Sequence, residues 1–310
     1  MAVRMLIVGA GAVGGYFGGR LAQAGRDVSF LVRPSRAQQL RQGGLRILSP
    51  HGDAQLTPQL LSRGQIDTHY DLILLSVKAY GLESAMEDFA PAVGETTAIL
   101  PLLNGMRHID ELVRRFGTDR VLGGVCRIAA RIDPEGRIVQ MADFQELLYG
   151  ERAGATTPRL QAIDATLSGA GFDAHICTDI TQAMWDKWVQ LASLGAATCL
   201  LRGTIGQIVA APGGAALSLQ ILDECVAIAA ACGHEPSASF LSAHARALSA
   251  PGSAMTSSMY RDLLQGAPVE ADHILGDLIE RGAVHGSVTP LLKAAGVTLR
   301  IYQDARSRRA

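Results

Sequence analysis

"MLIVGAGAVGGYFGGRLAQAG", residues 5–25, decides how the first half of the chain folds. The four apolar residues Met5–Val8 have the length of a buried strand. Gly9, Gly11 and Gly14 follow in the spacing GxGxxG and open a helix-like run. Each glycine answers a different steric demand. Gly9 permits the tight turn, Gly11 lets the backbone approach a pyrophosphate at the helix N-terminus, and Gly14 allows close helix–strand packing. The pairs Gly14/Gly18 and Gly15/Gly19 also spell GxxxG, but Arg20 and Gln23 interrupt the apolar run that pairing in a membrane requires. Between a ligand-free turn and a dinucleotide site, the strand–turn–helix context favours the site, with Gly9, Gly11, Ala12, Val13 and Gly14 as its backbone.

Working outward, the short apolar runs Val28–Val32, Leu72–Val77 and Ala98–Leu103 predict further buried parallel strands separated by helical or loop segments. From Val121 the texture changes. "DPEG", Asp133 to Gly136, reads as a turn between two extended runs, which suggests an antiparallel addition at the sheet edge. Residues 157–170 read as helix and 172–176 as strand. Beyond about Thr178 only alanine- and leucine-rich helical patterns follow, as far as 304. The expected fold is therefore α/β, with a Rossmann-type dinucleotide-binding domain over 1–177 and an all-α domain over 178–310.

Composition narrows the partners. With 48% hydrophobic and 18% charged residues the 310-residue chain has the balance of a well-cored protein, and its net charge of −1 leaves no footprint for nucleic acid or an anionic membrane. Apolar stretches such as Ile208–Gln220 are broken by glycine and proline and predict no membrane span. The N-terminal segment lacks a signal-peptide cleavage pattern. Five cysteines without a CxxC pair suit a reducing cytoplasm, and the eight scattered histidines show no metal-ligand spacing, so no metal is expected.

The end of the second strand selects the cofactor. An acidic residue there binds the ribose hydroxyls of NAD, whereas an arginine accommodates the 2′-phosphate of NADP. Here the strand ends "FLVRPSR", with Arg33 and Arg36 and no acid beside them, which favours NADP(H). Lys78 closes the strand "LLSVKAY" and Asn104 the strand "LPLLNGM", so both are expected at the carboxyl edge of the sheet where ligands of open α/β sheets sit.

Only three of the 28 basic residues are lysines: Lys78, Lys187 and Lys293. Lysine differs from arginine in giving up a proton when its surroundings lower its pKa. Lys187, in "WDKWVQLASLG", falls beside Met184 and Leu191 on a helix predicted over 181–201, bordering its apolar stripe. Partial desolvation there suits a general acid, and a lysine stem covering apolar surface would fit the same position. Further on, Ser257 and Ser258 are both candidate helix caps. Glu270 is expected in the first turn of a helix opening near Pro268, where the dipole favours an acid.

Taken in order, "GAGAVG", "VKA" at Lys78, "NGM" from Asn104, "W-x-K" ending at Lys187, "SSM-x₂-D" from Ser257 and "G-x₃-E-x-D" ending at Asp272 resemble the ketopantoate reductase (2-dehydropantoate 2-reductase) family over nearly the whole chain. The resemblance implies NADPH-dependent reduction of a 2-oxo acid to a 2-hydroxy acid, a step of pantothenate biosynthesis. It implies that Lys187 is the general acid, that Glu270 supports it, that Asn104, which also overlooks the cofactor, and Ser258 orient substrate, and that Lys78 lies near the cofactor's nicotinamide end. It leaves a homodimer open. Lys293 matches no motif and reads as a surface residue. One departure stands out: the family usually carries asparagines one and two helical turns after the lysine, where this chain has Leu191 and Gly195. At i+4 and i+8 these share Lys187's side of the helix, so the substrate wall is expected to be less polar and roomier. Two other readings stay open: a non-catalytic NADP(H) sensor, which would need neither Lys187 nor Glu270, and another two-domain hydroxy- or amino-acid dehydrogenase.

Overall fold

The structure is a computed structural model and describes residues 3–308. Ten strands form two sheets: β1 (Met5–Val8), β2 (Val28–Leu31), β3 (Leu45–Leu48), β4 (Ala54–Leu56), β5 (Gln59–Leu61), β6 (Tyr70–Leu75), β7 (Val93–Pro101), β8 (Gly123–Ile132), β9 (Ile138–Gly150) and β10 (Asp173–Ile176). Between them run α1 (Ala12–Gln23), α2 (Pro34–Gly43), α3 (Leu82–Phe89), α4 (Arg107–Phe116) and α5 (Pro158–Leu167). After β10 come α6 (Ile180–Leu201), α7 (Ile205–Ala210), α8 (Gly214–Ala231), α9 (Ala238–Leu248), α10 (Ser258–Leu264), α11 (Asp277–Val284) and α12 (Pro290–Ser307).

The first sheet has the order β5-β2-β1-β6-β7, and every pairing in it is parallel. This is the doubly-wound order, with the chain reversing direction across the sheet beside β1. All four residues of β1 and of β2 are buried, as strands covered on both faces require. The "DPEG" hairpin is not an edge addition to this sheet. Its strands β8 and β9 pair antiparallel within a second sheet, in which β9 also pairs in parallel with β10 and β3, and β3 carries β4. Among the described residues an isolated bridge, Ile99 to Val121, links the approach to β8 back to β7.

Helix α1 lies between the two sheets, and its glycine rows explain how. A methyl built on Gly14 would collide with Ser76 Oγ and the Gly9 carbonyl, and one on Gly18 would sit 2.7 Å from Ile7 Cγ1 and from Phe30 Cε1, all in the first sheet and its loops. One on Gly15 would collide with Ile138, and one on Gly19 would sit 2.7 Å from Ile47 Cδ1 and 2.9 Å from Leu45 Cδ2, all in the second sheet. The two overlapping GxxxG pairs thus let one helix approach a sheet on each side. Tyr16, Phe17, Leu21, Phe30 and Tyr149 fill the core around it.

By contacts the chain divides into one unit of residues 1–103 and 108–181 and a second of 104–107 and 182–310. The boundary expected at 177 falls in the turn between β10 and α6. In the helical unit α8 packs against α7, α9, α11 and α12. At 18 residues and a mean hydropathy of 1.5 it is long and apolar enough to cross a membrane by length and composition, although the glycine- and proline-broken stretch Ile208–Gln220 predicts no span. Yet Glu224 on it accepts the Leu291 and Leu292 amides at 3.0 and 2.9 Å, capping α12 as an internal helix of this unit would.

Candidate active site

In the first unit the glycine turn is built as its spacing requires. Gly9 adopts φ +95°, and Ser76 Oγ donates to its carbonyl at 2.9 Å, fastening the turn to the end of β6. Ala12 and Val13 open α1, whose N-cap is Gly11. No atom lies within 4 Å of where a methyl on Gly11 would be, so the helix N-terminus faces open space that a pyrophosphate fits.

The two arginines after β2 separate. Arg36 is engaged: Nε donates to the Ala10 carbonyl at 3.0 Å and Nη1 to the Gly136 carbonyl at 3.0 Å, tying the glycine turn to the β8–β9 hairpin, and burial lowers its pKa. Arg33 is exposed and its guanidinium makes no hydrogen bond or ion pair among the described residues, so its donors are left for a ligand. Lys78 is also exposed and immediately precedes a single 3₁₀ turn, Ala79–Gly81.

In the second unit, Asn104, Lys187 and Glu270 belong to three segments that meet at Trp188. Gly105 holds φ +80°, and a methyl on it would sit 2.7 Å from the His273 carbonyl and 3.7 Å from Trp188 Nε1, so a side chain is excluded there. Trp188, buried and next to Lys187 on α6, donates its indole N–H to the Ile274 carbonyl at 2.9 Å. Ile274 lies in a π-helical turn, Asp272–Gly276, that precedes α11. Such wide turns recur at functional sites. Glu270 is not in the first helical turn, as expected, but one step before it: its carbonyl accepts the Ile274 amide at 3.0 Å. Arg107 closes the arrangement, 2.5 Å from Glu280 and 3.8 Å from Asp277, while Arg281 pairs with Asp277 at 3.2 Å and lies over the Trp188 ring at 5.6 Å. These cations and Trp188 carry no motif of their own, and only the pairing of charges on a folded helix reveals them.

Lys187 is half-buried between Met184 and Leu191, with Met184 itself buried. Of the serine pair, Ser257 is the cap: its Oγ accepts the Tyr260 amide at 2.9 Å and pairs with Thr198 Oγ1 at 2.8 Å. Ser258, the first residue of α10, is half-exposed and leaves its hydroxyl for another partner. The expectation of a roomier wall at Gly195 is corrected. The place a side chain would take is filled by Met259, whose Cε would lie 2.7 Å from a methyl on Gly195. Lys293 is exposed on α12. Among the described residues no cluster of three metal-ligating side chains occurs.

A parallel sheet with a glycine turn at its carboxyl edge, followed by a helical unit that carries the lysine and the acid, defines an oxidoreductase of the two-domain dinucleotide-binding class. Models of "Ketopantoate reductase PanE/ApbA" and of its C-terminal region match residues 5–154 and 179–303, and the chain belongs to this family. It is 33% identical over 301 residues to the uncharacterized oxidoreductase YkpB of Bacillus subtilis, covering 97% of this chain and 99% of that one. The crystal structure of a PanE/ApbA family ketopantoate reductase from Ralstonia eutropha superposes with a TM-score of 0.88 at 26% identity, over 98% of this chain and 99% of that one. A ternary structure of D-mandelate dehydrogenase with NADH and anilino(oxo)acetate shares the fold, with a TM-score of 0.86 at 22% identity over 98% and 99% of the two chains.

Proposed function

We infer that this chain reduces a 2-oxo acid to the 2-hydroxy acid with NADPH, and that its substrate is ketopantoate or a more apolar relative. The carrying observation is the meeting of the Asn104 segment, the helix of Lys187 and the wide turn after Glu270 around one buried indole. Nucleotide binding alone needs none of these. The cofactor supplies the hydride. The protein's part is to protonate the carbonyl oxygen, which falls to Lys187, with Glu270 maintaining the proton supply and Asn104 and Ser258 orienting the substrate. Arg33, exposed and unengaged beyond β2, would take the 2′-phosphate that distinguishes NADPH. Five cysteines with no CxxC pair fit a reducing compartment, the cytoplasm.

Leu191 and the methyl of Met259 over Gly195 favour a second reading of the substrate, one with an apolar side chain rather than the hydroxyl of ketopantoate. The fold itself serves such chemistry in D-mandelate dehydrogenase. Oxidation of NADPH and of NADH, followed against a panel holding ketopantoate and aliphatic and aryl 2-oxo acids, tests both. Turnover of no 2-oxo acid would overturn the reductase assignment, and preference for NADH would overturn the cofactor.

A further inference from the structure

Because β1 pairs with both β2 and β6, the loops leaving these three strands lie side by side at the carboxyl edge of the sheet. The first is the glycine turn, the second begins with Arg33 and the third is Lys78–Gly81. Arg33 spans the gap between the last two: a methyl built on Gly81 would sit 2.8 Å from its Nη2 nitrogen. On the same short turn Ala79 and Gly81 are buried, but Tyr80 between them is 61% exposed. A single exposed aromatic is ordinary on a protein surface. This one differs by its place, on the ligand edge of a doubly-wound sheet and beside a guanidinium with no protein partner.

A dinucleotide whose pyrophosphate rests on the N-terminus of α1 extends its adenosine half toward the end of β2. The base is then a flat, weakly polar ring that needs a face to lie on, and a tyrosine ring offers one without reading its edge. We propose that Tyr80 is the stacking platform for the adenine ring, next to Arg33, which holds the phosphate on the neighbouring ribose. This rests on the dinucleotide reading of the glycine turn. It adds a binding residue to the loop that Lys78 opens, two positions beyond that lysine.

Calorimetric titration of the full chain and of Tyr80→Ala, Tyr80→Phe and Tyr80→Trp with NADPH, with adenosine 2′,5′-bisphosphate and with reduced nicotinamide mononucleotide tests it. Tyr80→Ala should weaken both adenosine ligands by roughly 5- to 150-fold, the range for loss of one base–aromatic stack. Phe and Trp should restore them to within about threefold, because both keep an aromatic face. The mononucleotide, which lacks adenine, should bind all four proteins alike. Equal affinity of Tyr80→Ala and the unmodified chain for the bisphosphate overturns the proposal while leaving the nucleotide site intact. A matching loss for the mononucleotide also overturns it, since the ring would then support the fold rather than the base. Failure of the unmodified chain to bind either adenosine ligand overturns the dinucleotide reading itself.

Discussion

Two glycines three residues apart should respond in opposite ways to one added methyl group. Gly11 caps α1 with φ −77°, a conformation alanine adopts, and a methyl there meets nothing within 4 Å. The slight loss of capping preference and the gain from a stiffer unfolded chain nearly cancel, so Gly11→Ala should change stability by less than about 1 kcal/mol. At Gly14 the methyl collides with Ser76 Oγ and the Gly9 carbonyl and lies 2.9 Å from Ser76 Cβ. Normal carbon–carbon contact begins near 3.5 Å, so α1 or the end of β6 must retreat by at least about 0.6 Å. Overpacking of that order costs about 1–3 kcal/mol. Both variants should lose NADPH: Gly14→Ala because the turn is displaced, Gly11→Ala because the methyl stands where the pyrophosphate approaches. For Gly11→Ala we expect at least about a tenfold loss, or about 1.4 kcal/mol. Urea unfolding and calorimetric titration of the two proteins separate the effects. A Gly11→Ala protein with full stability and unchanged NADPH affinity would refute the placement of the pyrophosphate, because the one open face of the turn would then be unused.

Lys187→Ala should lower turnover by roughly 10²- to 10⁴-fold with NADPH affinity nearly unchanged, and near-normal turnover would return this lysine to a packing role. Arg33→Ala should weaken NADPH but not NADH and leave unfolding unaffected, whereas Arg36→Ala, which loses its bonds to Ala10 and Gly136, should lower stability and weaken both nucleotides alike. Burial lowers the pKa of His244, bonded to Ser193 at 2.8 Å, from 6.5 to about 4. The unfolded chain therefore takes up that proton first, and stability is complete above pH 6.5 and lost as pH falls toward 4, by about 2 kcal/mol at pH 5. His244→Gln, measured by urea unfolding at pH 8 and pH 5, should remove that portion of the loss. Leu191→Asn should shift kcat/KM toward ketopantoate and away from apolar 2-oxo acids, and an unchanged ratio would free this position from any part in selection.

The strands around β1 were legible because a parallel sheet buried on both faces writes itself as short, unbroken apolar runs. β4 and β5 were not: each has three residues, partly exposed, too few for any period to show. The placement of the hairpin failed for another reason. "DPEG" specifies a turn between two strands but carries no information on which sheet receives them, and that is settled by long-range pairing of Ile47 and Leu48 with Ile138 and Val139. The glycine rows of α1 were visible as letters, yet only the Gly14 side was given a packing role. The Gly15 and Gly19 side needs a second sheet to make sense of it, and that sheet had not been foreseen. At the candidate site, residues within motifs were readable one by one. Trp188, Arg107 and Arg281, which join their segments, act through contacts between residues some 80 to 170 positions apart.

At 195 the chain has glycine where the family resemblance implies an asparagine. Removing a side chain predicts space, and space predicts a larger substrate. In the folded unit that space is already taken: Met259 lies over Gly195, and Ser257 beside it is fixed to Thr198 one turn further along the same helix. Gly195 therefore allows α10 to approach α6 closely, at the residue pair that presents Ser258. An unbranched thioether is also the side chain best able to rearrange in a small gap. The consequence for selection is one of polarity rather than volume. If this stretch lines the substrate as proposed, neither Leu191 nor Met259 leaves a polar group unpaired when a substrate hydroxyl is missing, so it would impose no penalty on an apolar 2-oxo acid.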